Sequence, residues 1–159
     1  MYQPALIPSL GRYKIIDACA GKDFSLFLTH AREVLSCGAN EQGQLGLGET
    51  QEMHGEPAKI PVLSRITKID CNEGGIALDG EGRMYQWGPV SRDQALIAPQ
   101  KVSNINQKIV DCSIGKFCFS AIDSSSMVWV WGDNKHAQLG LNDYTPRKTP
   151  YPLLSLKDK

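Results

Sequence analysis

Apolar residues in this chain gather into short runs that end at a glycine or a polar turn, and almost none of them recurs at the three-to-four spacing of an amphipathic helix. Ile15 to Ala20, Ile66 to Cys71 and Ile109 to Ile114 each read as a strand leading to Gly21, Gly74 or Gly115. A hairpin follows each. In the last copy Cys118 to Ile122 and Met127 to Trp131 flank Asp123-Ser-Ser-Ser126, and in the middle copy Asp79-Gly-Glu-Gly82 makes the turn. The second hairpin strand closes on a bulky or soft residue and then glycine: Cys37-Gly38, Trp87-Gly88 and Trp131-Gly132. A proline-bearing run ends each copy, at Pro57 to Leu63, Pro99 to Ile105 and Pro150 to Leu156. Proline cannot donate to a sheet ladder, so this run is expected to be the outermost strand. Four short antiparallel strands per unit predict an all-β chain of β-propeller blades, each a four-stranded antiparallel sheet, with about three blades present.

The copies overlay on one another. Lys14 to Lys22 matches Lys108 to Lys116 at an offset of 94, and the same offset lays Gly38 to Gly46 over Gly132 to Gly140. At an offset of 53, Asp17 and Gly21 fall on Asp70 and Gly74, and Pro4 to Leu10 falls on Pro57 to Leu63. The chain is therefore expected to open mid-repeat as one partial propeller over 1–159: 1–13 the outer strand of a preceding repeat, 14–63 repeat one, 64–106 a degenerate repeat two and 107–159 repeat three. Propellers close with about four to eight blades. An arc of three leaves two radial faces uncovered, which calls for a longer parent propeller, a homo-oligomeric ring of two copies, or another chain that completes the ring. The mid-repeat start favours the first.

Between the hairpin and the outer strand lies a loop, Gly-x-Asn-x-x-Gly/Ala-Gln-Leu-Gly, at 38–46 and 132–140. Asn40 and Asn134 suit a compact loop because asparagine tolerates left-handed backbone and bonds nearby amides. Leu45 and Leu139 are expected to plug the loop into the core. Gly43 is replaced by Ala137, so that position is not expected to need positive φ; Gly48 is replaced by Asn142, so that one is. At these residues the chain resembles the regulator of chromosome condensation repeat family, whose units carry a glycine-ended first strand, a hairpin finishing Trp-Gly and this same loop. The resemblance implies a seven-bladed propeller whose blades combine strands from consecutive repeats. It implies one of two functions. One is a non-enzymatic protein-interaction or scaffold module, as in propellers attached to kinases and ubiquitin ligases. The other is guanine-nucleotide exchange on a small GTPase through a wedge loop. No insertion here resembles that wedge, so the interaction module is the preferred expectation, with assembly onto a ring-completing chain as a third reading. The second copy departs from the pattern, with Gly88-Pro-Val-Ser-Arg-Asp-Gln-Ala-Leu96 where the loop belongs, which marks it as degenerate or specialised.

Charge narrows the partners. Seventeen Lys and Arg balance seventeen Asp and Glu, which argues against nucleic acid or an anionic membrane as the main partner while leaving room for a local basic face. No apolar stretch approaches the roughly 18 residues of a membrane helix, so an intracellular protein, cytoplasmic or nuclear, is expected. The five cysteines include no C-x-x-C pair; Cys71 and Cys112, each just after the repeated Asp, read as buried reduced thiols. His30, His54 and His136 occupy unrelated positions, Ser25 has no nucleophile-elbow pattern, and the glycine-rich loops lack a P-loop ending. No catalytic residue, cofactor or metal is expected. The longest non-repetitive loops, Glu49 to Glu56 and Pro89 to Ala98, are where binding residues on a rigid scaffold concentrate. Glu49, Glu52 and Glu56 in the first and Arg92 and Asp93 in the second are the candidate contacts for a protein partner.

Overall fold

The computed structural model describes residues 5–50 and 53–154. Among these, strands fall into three four-stranded antiparallel sheets with neighbours in chain order. Blade one holds β1 (Ile15–Ala20), β2 (Phe24–Thr29), β3 (Val34–Ala39) and β4 (Met53–Lys59). Blade two holds β5 (Ile66–Cys71), β6 (Gly75–Asp79), β7 (Met84–Pro89) and β8 (Ala95–Lys101). Blade three holds β9 (Ile109–Ile114), β10 (Cys118–Asp123), β11 (Val128–Gly132) and β12 (Arg147–Pro152). The outer strand is the proline-bearing one, as expected, but it begins before the proline. Pro57, Pro99 and Pro150 sit inside β4, β8 and β12, where an edge position leaves no inward ladder bond to lose. No helix among the described residues is long and apolar enough to cross a membrane.

Two local devices repeat in every blade. The first strand carries a β-bulge at its second residue, with pairing stepping from Ile15 to Asp17, from Ile66 to Lys68 and from Ile109 to Asp111. The hairpin is then closed by a tight turn whose third residue past Thr29, Asp79 or Asp123 takes positive φ: Arg32, Gly82 and Ser126. That turn also joins the blades. The carbonyl of Arg32 accepts the Ile66 N–H at 3.0 Å, and that of Gly82 accepts the Ile109 N–H at 3.0 Å. In blades two and three an aspartate holds the turn. Asp79 accepts the N–H groups of Glu81 and Arg83, both at 2.9 Å, and Asp123 accepts those of Ser125 at 2.8 Å and Met127 at 3.1 Å, together with the Trp129 indole N–H at 2.8 Å. Burial works against each charge, yet the bonds from Arg83 to Asp79 and from Ser125 and Trp129 to Asp123 outweigh it and hold both carboxyls below their ordinary value.

The core lies at the seams. One cluster joins Leu26, Leu28, Val34 and Leu45 of blade one to Ile66, Ile69, Ala77 and Trp87 of blade two; a second joins Ile76, Leu78 and Met84 of blade two to Ile109, Cys112, Phe119 and Trp131 of blade three. Each sheet thus buries a face against the next.

The structure corrects four expectations, two of them through pairing register. The 53-residue offset is broken by two residues in the first strand: Lys68, not Asp70, stands where Asp17 and Asp111 stand, pairing with Leu78 as they pair with Leu28 and Ile122. Asp70 therefore lies two residues further on, where its carboxylate accepts the Ser113 hydroxyl at 2.9 Å and the Ile114 N–H at 3.1 Å across the seam. Cys71 and Cys112 are both buried and free, as expected, but are not equivalent positions, since Cys71 faces Gly75 and Cys112 faces Ala121. Burial pushes the Cys112 thiol up to about 12, and a hydrogen bond with Cys71 together with burial pushes that of Cys19 up as well, so these thiols stay protonated. Third, Pro8–Arg12, within the segment expected to be an extended strand, is a 3-10 helix closed by Leu10 N–H to Ile7 O and Tyr13 N–H to Leu10 O; proline at its start presets the turn. Pro4 lies outside the described residues. Fourth, Ala137 has φ of 57°, although that position is not expected to need positive φ; Gly43 has 72° and, as expected, Gly48 and Asn142 have 85° and 57°.

Asp123→Ala is expected to cost about 1–3 kcal/mol in urea unfolding at neutral pH, because it strips the turn's acceptors at once. The sign with pH follows from the lowered carboxyl. Its contribution is complete above the ordinary value of about 4 and fades as pH falls through the folded value, so the variant's acid limb should be shallower than the parent's. Parallel limbs would show that Asp123 is not the titrating group.

Candidate functional site

Every signature residue of the loop after β3 has a mechanical task. Asn40, fully buried, accepts the Leu45 N–H at 3.1 Å and donates to the Glu49 carbonyl at 2.9 Å. Asn134 does the same in blade three, accepting from Leu139 at 3.0 Å and donating to the Asp143 carbonyl at 2.9 Å. Both asparagines act through their side chains and keep negative φ. Gln44 and Gln138 cap the first turn by accepting the N–H groups of Gln42 and His136. The loop so clamped lies on the following blade. Trp87 donates its indole N–H to the Gln44 carbonyl at 2.9 Å, and Gly48 N–H reaches the Ile97 carbonyl at 2.9 Å. Gly46 lies so close to the Trp87 ring that a Cβ there would come within 2.9 Å, and one on Gly43 would come within 2.6 Å of the Ile97 Cα. The seam between blades one and two is sealed by backbone.

The next seam is built differently. The connection from β7 to β8 is 90–94, a tight turn in which Val90 and Ser91 N–H groups both bond the Gln94 carbonyl; the turn holds no leucine, and Leu96 of β8 edges the cavity while packing on the first cluster. Trp131 still needs an acceptor, and Gln86 supplies it, its side-chain carbonyl lying 3.0 Å from the indole nitrogen. By register Gln86 occupies the place of Ser36, whose hydroxyl in blade one bonds the Leu45 carbonyl at 2.8 Å. A longer side chain thus replaces the missing loop as hydrogen-bond partner but not as filler. What remains is a cavity of about 320 Å³ floored by Phe119 and Trp131 and walled by Val90, Arg92, Asp133 and Arg147. Phe119 and Trp131 are stacked with centroids 5.5 Å apart. Arg92 bridges the cavity's rim to Asp133 at 3.3 Å and lies 5.9 Å from the centre of the Phe117 ring. Burial opposes the Asp133 charge, but the Lys135 N–H and the Arg92 guanidinium prevail and keep its carboxyl below the ordinary value.

Of the residues singled out from sequence, the structure brings Arg92 and Asp93 to this cavity. Glu49 and Glu56 belong to blade one, with Glu49 placing Oε1 3.1 Å from His54 Nε2 and Glu56 exposed on β4; Glu52 lies outside the described residues. Gln86, Phe119, Trp131 and Asp133 were not anticipated. Two signals point to them: Gln86 stands opposite a small serine in the first copy, and Asp133 opposite Ala39. No cluster of metal-ligating side chains occurs among the described residues.

The regulator of chromosome condensation (RCC1) repeat model matches residues 33–74, from the start of β3 across the first seam to the end of β5. The chain belongs to the RCC1 repeat family. It is 33% identical to the human probable E3 ubiquitin-protein ligase HERC6 over 91% of its own length and 15% of that protein's. With the mouse secretion-regulating guanine nucleotide exchange factor it shares 30% identity over 79% of its length and 31% of the relative's. Among solved structures, human WBSCR16 superposes with a TM-score of 0.77 at 22% identity, over 89% of this chain and 38% of that one. Yeast Prp20p, described with its binding to Gsp1p and histones, gives 0.77 at 18% identity, over 87% and 38%. The RCC1-repeat chain therefore spans well under half of each of these proteins. The propeller blades are shared with both structures, and the matched stretch holds the Asn-Glu-Gln-Gly-Gln-Leu-Gly loop whose mechanics are described above.

Gln86→Ala is expected to destabilise by about 1 kcal/mol, and a double-mutant cycle with Trp131→Phe to show coupling of about 0.5–1.5 kcal/mol in denaturation midpoints. Additive effects would mean that the indole N–H finds its partner elsewhere.

Proposed function

We propose that this chain serves as a non-enzymatic protein-interaction module, a rigid set of blades that offers the recessed seam between blades two and three to a protein partner. The observation that carries this reading is the difference between two otherwise equivalent seams: one closed by the Gly38 to Gly48 loop, the other left open over Phe119 and Trp131 by the shortened 90–94 turn. A shape-fixed hollow with an aromatic floor and a few polar groups at its rim is what binding sites on folded scaffolds present. The similarity to HERC6, in which the aligned region is a small share of a much longer protein, fits a recognition module carried beside another activity.

Nucleotide exchange is the second reading, favoured by the similarity to the secretion-regulating exchange factor. The two separate cleanly when release of a fluorescent guanine nucleotide from a panel of small GTPases is followed with and without the chain. The interaction reading expects rates within about twofold of the intrinsic ones, and acceleration of about tenfold or more would overturn it in favour of exchange.

A further inference from the structure

Building on the interaction reading, we propose that the cavity between blades two and three receives an acidic segment of a partner protein that inserts one leucine-sized side chain, reproducing from outside the plug that the shortened loop has lost. At the sealed seam, Leu45 is fully buried and belongs to one cluster with Trp87 and Ile66. At the open seam the cluster runs to Phe119 and Trp131 and stops at the cavity, where Val90 alone of the 90–94 turn packs on it and only partly. The volume of about 320 Å³ stands at the lower end of ligand-binding clefts, enough for an aliphatic side chain with the backbone on either side of it.

Backbone chemistry matches as well. The Ile97 carbonyl, which takes the Gly48 N–H at the sealed seam, has Lys148 as its register equivalent in blade three, one residue past the pairs Gly88 with Leu96 and Gly132 with Arg147. No blade-two N–H reaches the Lys148 carbonyl among the described residues, whereas its equivalent takes the Gly48 N–H, and an incoming segment can supply the counterpart. The charge at the mouth selects the partner. Arg92 is matched by Asp133 and Arg147 by Asp143, whereas Lys135 and Lys148 are exposed on the rim without an ion-pair partner among the described residues, two cations against the one exposed carboxylate of Asp93. On a chain of zero formal net charge this is a local cationic excess, and it complements carboxylates flanking the inserted leucine.

The test labels the tryptophans of the full chain with fluorotryptophan and follows fluorine NMR during titration with acetyl-Glu-Gly-Gln-Leu-Gly-Glu-amide. A saturable shift of the Trp131 resonance, with Trp87 unmoved, is expected. Replacing the peptide's leucine by serine, or its glutamates by lysines, should weaken binding by about tenfold or more, and so should Lys148→Glu in the protein. Lys148 is an exposed rim residue, so this variant keeps the test open if a floor variant such as Trp131→Phe fails to fold. No shift, binding indifferent to the leucine or to the flanking charge, or an equal shift from inorganic phosphate alone would each overturn the proposal. Peptide failure with nucleotide release still at its intrinsic rate removes this seam as receptor and leaves the interaction reading to other surfaces; accelerated release removes both.

Discussion

A small four-stranded sheet has two faces and little of its own to cover them with, so each blade here is stable only in so far as its neighbour buries it. The pivotal contact is the one between the tryptophan before the Trp-Gly glycine and the blade that precedes it. Trp87 is entirely buried, its ring pressed by Gly46 and its N–H bonded to the Gln44 carbonyl. A large aromatic residue contributes most of the buried area at such a seam, and its one polar atom must be satisfied there. The clamped asparagine and the leucine plug hold the loop against that ring.

Seen this way, the second blade shows how far the requirement can be relaxed. Losing the loop removes filler, an apolar plug and a backbone acceptor together. Only the acceptor is replaced, by Gln86, while Arg92 and Asp133 tie the rim across the gap. The hydrogen-bond obligation is strict because an unpaired buried indole N–H costs more than a hydrogen bond gains, whereas an opening at the surface costs only the contacts not made. Polar demand and packing demand separate, and the cavity is the result.

Much of this was legible in the residues. The first strands of all three blades fall on the runs read from the apolar pattern, and the outer position of the proline strand follows from the missing N–H of Pro57, Pro99 and Pro150. Three things were not. Register in the second copy is hidden because Asp70 mimics the repeated aspartate two residues late, and a matching residue type does not reveal which partner it faces across the sheet. Ala137 takes a left-handed conformation because the turns closed by Ala137 N–H to Asn134 O and Gly140 N–H to Ala137 O impose it, and such a closure outweighs a preference worth about 1–2 kcal/mol. The cavity is a property of two blades together, so only the shortened loop hinted at it, and only Arg92 and Asp93 of its lining were named.

The matched stretch at 33–74 begins inside one sheet and ends inside the next. Heredity and architecture are therefore half a step out of phase. That stretch carries the loop and the outer strand of one blade and the first strand of the next, whereas the residues that receive the loop, Trp87 and Ile97, lie beyond it in β7 and β8. A unit of sequence that straddles a seam links two sheets through the chain itself, so a change confined to the loop, as at residues 90–94, leaves that covalent crossing and the seam between blades one and two in place.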